Sequence, residues 1–199
     1  MRTSRLEAFS DGVLAIIITI MVLEIRVPEE PDVHALRAIV PQLLSYLLSF
    51  AYVGIYWNNH HHMFQVVDRV RGGVLLANLH LLFWLSLLPV ATAWADEQHF
   101  ERVPVVVYGL VLLASAVAYT VLQESICRAE GGERLRAAVG QGDLKGKVSL
   151  ALYVTGILVA LLVEPVAAVL VYAVVAVIWL VPDRRVERYL ESSGHGTAS

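Results

Sequence analysis

Two polar residues lie at the start of the first long apolar run of this chain. Ser10 and Asp11 come directly before residues 13–23, which belong to a stretch long enough to enter a lipid bilayer. An unpaired carboxylate inside such a helix costs roughly 2.5–3.5 kcal/mol, and less near the membrane surface. Both residue types are favoured helix N-caps, so capping alone is one interpretation. Leu6 and Phe9 argue against it, because they indicate that the helix begins earlier, and Asp11 then needs another partner.

A second group of polar side chains lies inside a later apolar stretch, at Asn78 and His80. An ionisable group within a membrane span is a functional candidate and needs a partner. At about 1.5 Å per helical residue, Asp11 and His80 are expected at comparable depth from one membrane side. We therefore predict one polar network between helices, and both a structural and a sensing role remain open. Its members are Arg5, Ser10, Asp11, Asn78 and His80.

Three consecutive histidines, His60, His61 and His62, raise the question of a metal site. Adjacent helical residues point about 100° apart and cannot easily share one ion. No cysteine or acidic residue lies at a suitable spacing to complete the ligand set. We predict neither a metal site nor a cofactor, and we interpret the histidines as a polar cap at the membrane interface.

The composition excludes an ordinary soluble domain. Hydrophobic residues make up 57% of the chain and charged residues 17%, with a mean hydropathy of +0.64, whereas soluble domains are about one quarter charged. The apolar segments have the length of membrane helices, and the alternating pattern of a barrel strand is missing. The sequence thus predicts an all-α integral membrane protein in contact with the lipid bilayer. The net charge of −3 gives no indication of a nucleic-acid partner.

Six transmembrane helices are predicted within residues 1–182, followed by a cytoplasmic tail at 183–199. The spans cover about 6–25, 36–57, 74–94, 104–126, 148–163 and 166–181. We expect a kink at Pro89 in the third span, and a tight turn at Glu164 and Pro165 makes the last two spans a hairpin. Residues 128–147 form a polar loop with one short surface helix, residues 183–190 a short interfacial helix, and residues 191–199 a disordered end.

The distribution of basic residues predicts the orientation of these spans. Only Arg26, Arg37 and Arg102 fall on one side, and the other twelve of the 15 Lys and Arg residues fall on the side that carries both ends. Cations are enriched in cytoplasmic loops, so both termini are predicted to be cytoplasmic. The single cysteine, Cys127, excludes an intrachain disulfide and should face the cytoplasm as well.

A short signature opens the first span: Arg5, three further residues, and then Phe9-Ser10-Asp11. Residues 23–25, 56–61 and 79–89 complete a pattern that covers the first half of the chain. This pattern resembles the transmembrane protein 175 family of potassium channels. The resemblance implies a potassium-selective cation channel of the cell membrane, K+ as permeant ion, and a homo-oligomer that is by likeness a tetramer of six-span subunits.

One face of the first helix collects residues at spacings of three and four. They are Phe9, Gly12, Ile16, Thr19, Ile20 and Leu23. From spacing alone this face could line a pore, meet lipid or pack in a core. The chain has no Thr-Val-Gly-Tyr-Gly filter, and the family likewise lacks one and uses apolar rings from the first span. The resemblance therefore implies a hydrophobic gate at Ile16, Ile20 and Leu23, with Thr19 as a polar ring that contributes to potassium preference.

Two other function classes compete with a channel. A proton-coupled secondary transporter, or a proton-conducting membrane protein, could use Asp11 and His80 as a relay. Transporters usually show internal repeats and broken helices at mid-membrane, and the sequence has neither. An enzyme would need converging ligands or a nucleophile with its base, so we predict that the protein is not an enzyme.

Overall fold

A computed structural model describes residues 3–28, 31–65, 67, 70–128 and 144–180. All regular secondary structure in these ranges is helical, which confirms the predicted all-α class. The helices are α1 (Thr3–Leu23), α2 (Val33–Ala38), α3 (Val40–Gln65), α4 (Gly72–Leu85), α5 (Leu88–Glu97), α6 (Arg102–Arg128), α7 (Leu144–Leu162) and α8 (Pro165–Leu180). The predicted short helices between 128 and 147 and at 183–190, and the predicted disordered end, lie outside the described residues.

The lengths and hydropathies of these helices fit a multi-pass membrane protein. Four segments are long and apolar enough to cross a bilayer: Thr3–Leu23, Gly72–Glu97, Arg102–Arg128 and Leu144–Leu162. α8 is apolar but has 16 residues, somewhat short of the roughly 20 that span a hydrocarbon core. α3 is long, but its serines, tyrosines and histidines make it less apolar. Helices lie at all six predicted span positions, and the crossing of the membrane by all six stays a prediction.

The second predicted span is wrong at both ends. The chain forms the short α2, capped by Asp32, whose carboxylate accepts the Ala35 N–H at 2.7 Å, and starts again at Val40. Pro41 explains the interruption, because it has no N–H for the carbonyl of Arg37 and fits only the first turn of the new helix. At the other end the helix continues to Gln65, so the predicted polar connection from residue 58 is instead two further helical turns.

The third predicted span is interrupted just before Pro89, where a kink was expected. α4 ends at Leu85, and α5 begins at Leu88 with Pro89 in its first turn. Between them the Leu87 N–H donates to the Trp84 carbonyl at 3.2 Å, a tighter three-residue turn. Pro89 has no N–H to offer the Leu85 carbonyl, which accounts for the interruption.

Packing places α1 against one side of the subunit. α1 contacts α3, α4 and α5, while α6 packs on α4, α5, α7 and α8. The predicted hairpin is formed by α7 and α8, and Glu164 caps α8 by accepting the Ala167 N–H at 3.0 Å. The ring of Tyr172 lies so close to Gly109 and Gly156 that a Cβ atom at either glycine would overlap it. α6, α7 and α8 pack on one another, and one side of α1 is not covered by any helix among the described residues.

Candidate functional site

One face of α1 is buried against the rest of the subunit. Its buried residues recur at spacings of three and four, and they are Thr3, Leu6, Ser10, Leu14, Ile17 and Met21. This face carries a serine near its beginning and large apolar side chains beyond it. Hydrophobic burial therefore fixes the rotation of α1 about its own axis, and with it the direction of the opposite face.

The opposite face of α1 is the one that the family resemblance assigned to the ion pathway. Ile16 is 59% exposed and Leu23 is 80% exposed, and Phe9 and Ile20 are also exposed in the isolated chain. Within the described residues, this face is not packed inside its own subunit, which was one of the three possibilities. Large apolar side chains in a row at a surface mark contact with another protein surface or with lipid.

Thr19 lies on the exposed face, one helical turn before Leu23. Its hydroxyl donates to the Ile16 carbonyl at 2.9 Å, so the helix backbone uses the hydrogen but leaves an oxygen lone pair available. The hydroxyl oxygen can therefore still accept a hydrogen bond or face a cation on the outer side of the helix.

A buried polar chain joins α1, α4 and α3 at the level of the signature. The side-chain amide of Asn78 donates a hydrogen bond to Ser10 Oγ at 3.0 Å. The Ser10 hydroxyl in turn donates to the Leu6 carbonyl at 2.9 Å. His60 Nε2 lies 2.7 Å from Asn78 Oδ1 and donates to it, because an amide oxygen only accepts. Ser10 and Asn78 are 0% exposed and His60 is 2% exposed. Each of these buried polar groups is therefore bonded, as burial demands.

Asp11 and His80 do not join that chain, contrary to the predicted network. The Asp11 carboxylate accepts the indole N–H of Trp57 at 3.0 Å. His80 accepts the indole N–H of Trp84 at 2.9 Å, one turn further along its own helix, and is exposed. Arg5 is exposed too, and no hydrogen bond links it to the other predicted members within the described residues. The two side chains of Asp11 and His80 thus bond different tryptophans and not each other, and their comparable depth in the membrane stays a prediction.

The other two histidines have different surroundings. His61 Nδ1 lies 3.6 Å from Glu7 Oε1, and the ring stacks on Trp57 with centroids 6.3 Å apart. His62 Nδ1 is buried without a hydrogen-bond partner in the part of the chain that the structure describes. No cluster of three metal-ligating side chains occurs among the described residues. The divergence of the three rings follows from their consecutive positions on α3.

His60 is the member of the site that the sequence analysis missed. It was assigned to a polar cap after the second span, but the helix continues through it. Tyr52, Tyr56 and Phe64 share its face of α3 at four-residue spacing, and all are buried. This run of aromatic and amphipathic residues is the sequence signal that distinguishes His60 from its two neighbours.

The family and its members give the context for this geometry. Residues 5–89 match the model of the family described as "Endosomal/lysosomal potassium channel TMEM175". The chain is 52% identical to a potassium channel of Chryseobacterium sp. (strain P1-3), over 97% of this chain and 100% of that one. It is also 39% identical to the mouse endosomal/lysosomal proton channel TMEM175, over 49% of this chain and 23% of the longer mouse protein.

The fold agrees with a solved member of the same group. The crystal structure of a lysosomal potassium-selective channel TMEM175 homolog from Chamaesiphon minutus superimposes with a TM-score of 0.74 at 30% identity. The match covers 89% of this chain and 96% of that chain. Similarity along nearly the whole chain, together with the signature at residues 5–11, supports a single conclusion: this chain belongs to the TMEM175 family of channels.

Proposed function

We propose that this protein is a potassium-selective channel of the cell membrane whose pore is lined by α1 from each of four copies. The observation that carries the proposal is that α1 exposes large apolar side chains at Ile16, Ile20 and Leu23, although it already buries another apolar face against its own subunit. One helix cannot enclose a pore, but symmetric copies placed around an axis can. The potassium-channel relative that matches the whole length of the chain supports K+ as the permeant ion.

In this proposal Ile16, Ile20 and Leu23 form stacked apolar rings around the axis. Such constrictions control conduction by excluding water when they are narrow. Thr19 lies between the rings, and its hydroxyl oxygen supplies the polar atom that a partly dehydrated cation needs. The buried hydrogen-bonded chain from Ser10 through Asn78 to His60 holds the start of α1 at a fixed rotation. It therefore affects the pore indirectly, by setting which face of α1 points toward the axis.

Purified protein in liposomes tests this proposal. Vesicles loaded with K+ and diluted into a large organic cation should lose K+ passively, down the applied gradient, and more slowly lose Na+ in a parallel preparation. Empty vesicles serve as the control for lipid leak. Potassium movement that occurs only together with a stoichiometric proton flux would favour a secondary transporter instead.

The orientation of the six proposed spans has its own test at Cys127. Cytoplasmic termini place this residue, at the end of α6, on the inner side. An impermeant thiol reagent should therefore label it in inside-out vesicles and leave it unlabelled in intact cells. The opposite pattern would reverse the proposed orientation.

Proton conduction is a second candidate, because the mouse relative is named a proton channel. A direct relay between Asp11 and His80 is not supported, since each bonds a different tryptophan. A pH-sensitive dye trapped in the same liposomes separates the two functions. Acidification that follows a proton gradient without K+ would favour proton conduction, and Asp11→Asn and His80→Gln would then identify the groups involved.

A further inference from the structure

The carboxyl-terminal end of α1 is held by few apolar contacts. Met21 is the last buried residue of the helix, and residues 22–28 are all exposed or half-buried. The final backbone hydrogen bonds are long: the Glu24 N–H reaches the Ile20 carbonyl and the Ile25 N–H the Val22 carbonyl, both at 3.3 Å. Leu23, the last proposed ring residue, therefore lies on a turn that its own helix holds weakly.

Gln42 of α3 makes two hydrogen bonds to this end. Its side-chain oxygen accepts the Arg26 backbone N–H at 3.1 Å, and its amide nitrogen donates to the Glu24 carbonyl at 3.1 Å. A carboxamide carries one acceptor and two donors, so it can pair with a backbone as another peptide unit would. The pair also satisfies groups that a helix end leaves without intrahelical partners.

We infer that Gln42 is a positioning residue for the constriction, because its paired hydrogen bonds to Glu24 and Arg26 fix the turn that carries Leu23. This inference rests on the proposed channel function, since it assigns Leu23 to a pore ring. Two cavities border Gln42, a small one next to Met21 and Ser45 and an open cleft of about 370 Å³ next to Ile39 and Phe100. The end of α1 therefore has room to move once the side-chain bonds are removed.

The neighbouring ion pair is a weaker constraint. Arg26 Nη2 lies 2.6 Å from Glu97 Oε1, but the two side chains are 72% and 50% exposed. Solvent screens such a pair, and surface pairs of this kind contribute little to stability. The contribution of Gln42 can thus be separated from that of Arg26, because Arg26 takes part through its backbone N–H and not through its charge.

Three variants of the full-length protein test the inference. Gln42→Met keeps the length of the side chain and removes both bonds, while Gln42→Glu keeps the acceptor but cannot donate to the Glu24 carbonyl when ionised. Arg26→Gln is the matched control, because it removes the ion pair with Glu97 and keeps the backbone N–H.

Amide hydrogen exchange is measured first. Exchange at residues 24–27 should accelerate about tenfold in Gln42→Met, less in Gln42→Glu and little in Arg26→Gln, since each step removes fewer hydrogen bonds. Residues 9–14 should exchange as in the wild type in all three variants. Unchanged exchange at Arg26 in Gln42→Met would show that Gln42 does not hold this backbone and would overturn the inference.

Ion flux is measured in the same preparations. Potassium leak through Gln42→Met should rise about fivefold, because a loosened turn lets Leu23 withdraw from the axis, while the preference for K+ over Na+ stays constant. Faster exchange with unchanged flux would also overturn the positioning role. A wild-type protein that conducts no K+ would instead refute the proposed channel, and the exchange measurement would still report whether Gln42 holds the end of α1.

Discussion

Both faces of α1 carry large apolar side chains, which is not the pattern of a helix in water: Leu14, Ile17 and Met21 lie on the buried face. The buried face holds Ser10, whose hydroxyl is fully satisfied, and the exposed face shows Ile16 and Leu23. A soluble helix buries its apolar stripe and exposes its polar one. A side chain such as Leu23 is exposed at no cost only to lipid or to other copies of the chain. The comparison therefore shows that the exposed face of α1 suits lipid or another protein surface, and the proposed tetramer assigns it to the latter.

The largest expected effect concerns assembly, because the exposed apolar face of α1 can line a pore only if several copies of the chain surround one axis. Native mass measurement of the detergent-purified protein should give four copies. Four is the number that the family resemblance implies. A stable monomer in lipid-like detergent would assign the exposed face of α1 to the bilayer and would remove the axial pore.

The next effect tests the apolar rings on the exposed face. Leu23→Asn should wet the last ring and raise potassium leak by about tenfold, since hydrophobic constrictions conduct when water enters them. Val22→Asn is the matched control, because Val22 is the exposed neighbour of Leu23 and points about 100° away from it. Equal potassium leak in the two variants would show that the leak does not depend on which face of α1 carries the asparagine.

The buried face is tested by a double-mutant cycle in α4 and α3. Asn78→Ala and His60→Ala should each lower the free energy of unfolding by roughly 1–3 kcal/mol, because each leaves buried polar groups without partners. The double variant should lose clearly less than the sum, since the two side chains bond each other.

Asp11→Ala and His80→Ala provide the contrasting pair for that cycle. Their side chains bond Trp57 and Trp84 respectively and share no partner, so their losses in thermal stability should add. Non-additive losses for this pair, with additive losses for Asn78 and His60, would contradict the assignment of the buried chain.

The sequence predicted helices better than it predicted where side chains point. Apolar run lengths located all six long helical positions, and the helix is interrupted just before Pro89, where a kink was predicted. The run from Asn58 to Gln65 was misassigned because its polar residues resemble a loop, although the helix continues against buried neighbours. Hydropathy predicts which residues lie within the membrane. The rotation of each helix depends instead on its packing against the other helices, and this rotation points Asp11 and His80 at different partners.

The smallest expected effect concerns Thr19, where the two faces of α1 differ in the use of a hydroxyl. Ser10 is enclosed and bonded on both sides, whereas Thr19 donates to the Ile16 carbonyl and keeps an exposed oxygen. A threonine in a helix can also bond the carbonyl four residues back, here that of Ala15, but the acceptor is the carbonyl of Ile16. Thr19→Val preserves the volume and removes the oxygen, so the preference for K+ over Na+ should fall about fivefold, with tetramer formation unchanged.

Thr19→Ser is the control, because it keeps the oxygen and should retain most of the preference. Bilayer recordings of both variants decide the point: equal wild-type selectivity in Thr19→Val would mean that the Thr19 hydroxyl serves only its own helix, and the polar ring would then have to come from another residue.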